Sequence, residues 1–165
     1  VTTQMLRKIG LDETELVGES QHVYGPGYGT GTEEAKVGRD KKLRYNPLNC
    51  ASIGFGEHQL LFYSCLLDIT TGKMLKESTD EYFYRDVVSA STKTESTSFQ
   101  WKGQTYQFND AETFTLTTSG GTSVSVFLKD PKLPSAMGLG NAEMPTTNAE
   151  TAVQVIRRML RDKKQ

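Results

Sequence analysis

Long apolar runs are missing from this sequence of 165 residues, and no stretch approaches the roughly 20 residues a helix needs to cross a bilayer. Cysteine is scarce: Cys50 and Cys65 are too few for a disulfide framework. No Asn-x-Ser/Thr sequon and no signal-peptide pattern occurs, and these absences together predict a cytoplasmic protein with free thiols. Charge of one sign is missing too. With 19 Lys+Arg against 20 Asp+Glu the formal net charge is -1, which excludes a strongly basic nucleic-acid binder on composition.

Motifs that carry chemistry are equally sparse. His22 and His58 are the only histidines and belong to no HExxH or similar pattern, so no metal is expected. Cys50 and Cys65 lack a CxxC partner or a neighbouring histidine and read as small buried hydrophobes. No GxSxG elbow surrounds a serine; Ser119, which precedes two glycines, belongs to a hairpin turn. The run Gly25-Pro26-Gly27-Tyr28-Gly29-Thr30-Gly31 is not followed by Lys-Ser/Thr at phosphate-loop spacing, so it reads as a connector. Asp80, Glu81 and Asp86 fall on the solvent face of a strand by default. The expectation is therefore no cofactor and no catalytic residue.

What is present is patterned. Hydrophobic residues make up only 36% of the chain but gather into periodic segments, which argues for one folded domain. Residues 2–10 predict a short helix, with Met5, Leu6 and Ile9 on one face and Gly10 at the exit. Glu15 to Tyr24 reads as a first strand. The stretch from Gly25 to Arg44 then predicts a long, mobile, partner-facing loop. Its candidate binding residues are Lys36, Arg39, Lys41, Lys42 and Arg44.

Residues 50–55 and 60–67 predict a hairpin. Pairing Phe55 with Leu60 sets Ile53 against Phe62, Ala51 against Ser64 and Cys50 against Cys65, and gathers Ile53, Phe55, Leu60, Phe62 and Leu66 on one face. Thr71-Gly72 marks the next turn, and Tyr82 to Ala90 reads as a strand. Phe99-Gln100-Trp101 and Tyr106-Gln107-Phe108 flank a turn at 102–105. In the last hairpin a wider loop, pairing Leu116 with Val126 and Phe114 with Leu128, is expected over a strict two-residue turn. Residues 130–145 form a linker. A closing helix over about 147–162 starts with a capping box, Thr147-Asn148-Ala149-Glu150, and buries Ala149, Ala152, Val153, Ile156, Met159 and Leu160. Its basic end, Arg157 to Lys164, favours the negative end of the helix dipole; the alternative is attraction to an anionic membrane surface.

About seven short strands followed by one amphipathic helix is the element order of pleckstrin-homology-like domains. The segment EYFYRDVVSAST (81–92) resembles the strand that begins the second sheet in bacterial PH-like and GRAM-like domains. FTLTTSGGTSVSVFL (114–128) is similar to their last hairpin, and AETAVQVIRRMLRDKK (149–164) to their closing helix. The resemblance implies a mainly β domain over residues 15–165, a two-sheet antiparallel barrel plugged by the C-terminal helix, preceded by a helical segment at 1–14. It also implies a scaffold for recognition rather than a reaction. Eukaryotic members bind phosphoinositides through a basic signature across the first two strands. Here Lys36, Lys42 and Arg44 have compressed spacing, so that ligand is not carried over.

The expected function is a non-catalytic binding or assembly module, engaging a protein partner or itself through strand edges or the 25–44 loop. The alternatives are a small-molecule or lipid carrier of lipocalin type, which needs an empty apolar interior, and an enzyme with scattered catalytic residues.

Overall fold

The computed structural model describes residues 2–27, 34–101, 103–121, 123–129, 138, 140 and 148–163. The first helix, α1 (Thr2–Ile9), ends where Gly10 adopts φ +82° and its N–H bonds the Leu6 carbonyl at 2.8 Å. A capping box at Asp12 and Glu15 then winds residues Glu13–Glu15 into a 3-10 turn. This delays the first strand, β1, to Gln21–Pro26 rather than Glu15–Tyr24.

The expected long loop is corrected by two strands. β2 (Glu34–Val37) and β3 (Leu43–Asn46) form a hairpin with Ala35 opposite Tyr45 and Lys36 opposite Arg44. Alternation explains it. Leu43 and Tyr45 are buried while Lys42 and Arg44 point to solvent, a strand signal of only two apolar residues inside a charged stretch. Gly25 and Pro26, expected in the loop, are the last residues of β1, an edge strand where proline is tolerated. Residues 28–33 of the glycine-rich stretch lie outside the described residues, as do most of the 130–145 linker and the cap residue Thr147.

β4 (Leu48–Phe55), β5 (Gln59–Asp68) and β6 (Lys73–Phe83) complete a four-stranded antiparallel sheet in the order β1-β4-β5-β6. The β4–β5 register is the one read from the sequence: Phe55 opposes Leu60, Ile53 opposes Phe62, Ala51 opposes Ser64 and Cys50 opposes Cys65. The turn after Asp68 is also as expected, with Gly72 at φ +71°.

Tyr82 to Ala90 is not one strand. A 3-10 turn at Tyr84–Asp86 divides it, and β7 (Val87–Trp101) starts the second sheet. Three hydrogen bonds make this corner: the Tyr84 N–H to the His58 carbonyl at 2.9 Å, the buried Tyr84 hydroxyl to the Gly56 carbonyl at 2.9 Å, and the Ser119 N–H to the Asp86 carbonyl at 2.7 Å.

The second sheet has the order β7-β8-β9, with β8 at Gln104–Thr118 and β9 at Ser123–Lys129. Leu116 opposes Val124 and Phe114 opposes Val126, a register two residues away from the expected one. A slip of two keeps every residue on its face, so the apolar pattern alone does not distinguish the two registers. Local turn geometry decides, with Gly121 at φ +81° and its N–H on the Thr118 carbonyl at 3.0 Å. The last helix, α2, is Ala149–Lys163. Asn148 precedes it, with its carbonyl accepting from the Ala152 N–H at 3.1 Å and its side chain donating to the His22 carbonyl at 3.2 Å.

The result is mainly antiparallel β with a short N-terminal and a longer C-terminal helix. Among the described residues the four-, two- and three-stranded sheets do not close into the expected barrel. The core explains how they stay together. Val23, Ile53, Phe55, Leu60 and Phe62 of the first sheet meet Tyr84, Val87, Phe114 and Leu116 at the second, and Ala149, Ala152, Val153, Ile156 and Leu160 of α2 belong to the same cluster. The opposite face of the first sheet is buried as well. Cys50, Leu61, Tyr63 and Cys65 pack there against Met5 and Leu6 of α1. Gly54 makes room for this: a Cβ at that position would stand 2.9 Å from the Met5 Cε and 3.2 Å from a Leu16 methyl.

Candidate functional site

Three places gather chemistry-bearing side chains. The first is the polar strip beneath α1. The Ser52 Oγ lies 3.0 Å from the His22 Nδ1, and the Thr2 Oγ1 lies 3.0 Å from the Nε2. A serine on an imidazole has the spacing of a nucleophile and its base. Ser52, however, has no exposed surface, and the other ring nitrogen meets a hydroxyl where a triad would put a carboxylate. Burial lowers the His22 pKa from its ordinary value. The two thiols beside it are free, and burial pushes Cys50 up to about 11, with Cys65 adding to the effect. This is opposite to the shift that activates a cysteine. The strip fastens α1 to the sheet.

The second place is the β2–β3 hairpin, which collects all five residues singled out in the sequence. Lys36 and Arg44 are cross-strand partners, Arg39, Lys41 and Lys42 lie in the turn between the strands, and all five are exposed. Arg44 is already engaged. Its guanidinium holds both Asp40 oxygens, at 2.8 and 2.9 Å, and keeps that carboxyl well below the usual carboxylate range. The structure thus brings the five together at the turn end of the hairpin, with Val37 exposed among them. No concave surface accompanies them among the described pockets.

The third place was not legible as a site. β7 opens with a bulge directly after the Tyr84–Asp86 turn: Val87 opposes Thr118 and Ser89 opposes Thr117, so Val88 is the extra residue and stands outward, 60% exposed, while Val87 is buried. Across from it, one turn of α2 presents Arg157 and Arg161, neighbours at i and i+4, beside the buried Leu160. Val87, Val88, Ser89, Ala90, Leu160 and the two arginines line an open groove of about 510 Å³. Arg157 also reaches the Thr92 Oγ1 at 3.4 Å, which ties the helix to β7 just beyond the groove. Among the described residues β7 pairs with β8 on one side only. A second depression of about 470 Å³ lies before the same turn, where the Arg85 guanidinium sits 5.4 Å from the ring of the exposed Phe83, close to Glu57, His58 and Lys163.

The sequence held one signal for the groove. Val87 and Val88 are consecutive, and in a strand only one of two adjacent apolar residues faces the core. Among the described residues no group of three His, Cys, Asp or Glu side chains is placed to hold a metal ion. No described helix is long and apolar enough to cross a membrane. Comparison with family models, curated proteins and solved structures finds no match for this chain.

Proposed function

We propose that this chain is a non-catalytic binding module of PH-like architecture that takes a partner polypeptide in the groove between β7 and α2. One observation carries the reading: an edge strand, an outward Val88 and a pair of arginines converge on one concave surface. A lone exposed valine is ordinary; an apolar floor beside a strand that, among the described residues, is laddered on one side only, with a basic rim, is the makeup of a recognition surface. The core favours a binding module over a carrier, because the α2 stripe stands between the sheets where a carrier needs empty space.

Site-specific photo-crosslinking in the native cells tests the proposal. A benzophenone side chain at Val88 should give a discrete adduct, and the same group at Val37 on the β2–β3 hairpin should not. An adduct of twice 18.3 kDa would identify the partner as a second copy. Labelling from Val37 alone moves the binding surface to the hairpin, and labelling from neither defeats the reading.

A further inference from the structure

We infer that the occupant of the β7–α2 groove is an extended, carboxylate-bearing segment that adds to β7 as a further strand. This rests on the binding reading above and names the chemistry of the partner. Two features of the groove lead to it.

The first is its wall. From Ser89 onward, beyond the bulge at Val88, the described ladder of β7 lies wholly on the β8 side. An extended chain laid beside it would exchange backbone hydrogen bonds with that edge. Its pleat would then deliver alternate side chains toward the apolar surface that Val88, at the bulge, shares with Ala90 and Leu160. A groove open along its length suits a strand better than an enclosed small molecule.

The second is charge. Among the described residues Arg157 and Arg161 are the only charged ones that line the groove, and no described carboxylate lines it. Asp86, just before β7, lies 3.9 Å from the adjacent Arg85. A guanidinium matches a carboxylate with two parallel hydrogen bonds, and a pair of them one helical turn apart selects acidic side chains along an extended chain. Electrostatic matching of this kind governs selectivity and the rate of encounter, while the apolar floor supplies the holding contacts.

Two fluorescein-labelled octapeptides, Glu-Val and Lys-Val repeats, provide the test by fluorescence anisotropy. The Glu-Val peptide should bind the full chain at least about tenfold more tightly than the Lys-Val peptide. The double variant Arg157→Gln/Arg161→Gln should erase that preference, and Arg157→Glu/Arg161→Glu should reverse it. Circular dichroism confirms that each variant is folded, and the Gln pair serves if the Glu pair is not. Amide exchange with the Glu-Val peptide bound should show new protection in β7 between Val88 and Lys93. Tight binding without that protection overturns strand addition, and equal affinity for both peptides overturns the acidic preference. Val88→Asp separates binding in the groove from the preference for acidic partners. If it weakens both peptides while charge reversal at the arginines changes nothing, the groove stands and the acidic partner falls. If it changes neither peptide, the groove reading itself falls.

Discussion

The Tyr63 hydroxyl, on a side chain with no exposed surface, donates to the Glu77 Oε1 at 2.7 Å. A bulge aims that carboxylate. The β5–β6 register jumps between Ser64 and Leu66, so Lys76 and Glu77 both stand opposite Cys65, with Lys76 at φ +50°. Glu77 can then also accept from the Gln4 amide at 3.0 Å and pair with Lys8 at 3.3 Å. One carboxylate thus links the sheet to two residues of α1.

Acid should therefore loosen α1. The Tyr63 hydroxyl, followed by Gln4 and Lys8, holds the Glu77 carboxyl at about 2, below its ordinary 4.5. A carboxyl depressed in the folded state contributes stability that is complete above the unfolded value and is lost as pH falls through the folded one. Urea midpoints of the wild type should fall between pH about 5 and about 2.5 more steeply than those of Glu77→Gln. Parallel curves for the two proteins would show that the Glu77 contacts contribute nothing to folding.

His22 should produce a second acid limb, at higher pH. Burial lowers its folded-state pKa from 6.5, so the native protein binds fewer protons there than the unfolded chain. Its contribution is complete above about 6.5 and declines as pH drops towards the depressed folded value. The wild type should lose thermal midpoint between pH 7.5 and 5.5, and His22→Gln, which keeps a polar side chain near Thr2 and Ser52, should be flatter over that window. A steeper slope in the variant would mean that the folded protein protonates His22 more readily than the unfolded chain does.

The thiols should be inert while the fold holds. Cys50 and Cys65 have at most 2% of their surface exposed, and burial raises the Cys50 pKa to about 11. At pH 8 iodoacetamide should leave both unmodified in native buffer and alkylate both in denaturant, as read by intact mass. Rapid native modification would mean that α1 lifts from the sheet readily.

The β4–β5 hairpin was legible because the short turn at Gly56–Gln59 and the alternation of Ile53, Phe55, Leu60 and Phe62 agree on one register. Its other face was not read, although β5 carries the signal: Leu60-Leu61-Phe62-Tyr63 is unbroken, as in a strand buried on both sides. The helix that covers Leu61 and Tyr63 was visible as a helix, but its docking is a tertiary fact. The β2–β3 hairpin was hidden because Leu43 and Tyr45 are isolated among lysines and arginines. The basic residues at 36–44 could be named without their hairpin. The groove could not, since it depends on where Tyr84 turns the chain relative to α2.

The apolar stripe of α2 appeared in the sequence and is observed in the core. Ala149, Ala152, Val153, Ile156 and Leu160 are buried among residues of both sheets, with Met159 partly buried beside them. The terminal helix therefore fills the space between two sheets that no ladder joins among the described residues. Ile156 is the most informative probe because only 1% of its surface is exposed and it lies mid-helix, away from the fraying ends. Ile156→Ala removes three buried carbons and leaves a cavity lined by both sheets, which should cost about 2–5 kcal/mol in urea unfolding. Met159→Ala, at a half-buried position on the same helix, should cost distinctly less. Alanine is the better helix former at both sites, so helix propensity opposes the loss and a large effect at Ile156 must come from packing. A loss below about 1 kcal/mol at Ile156 would make α2 peripheral to stability, and its wall of the groove would then be too loosely held to define a binding surface.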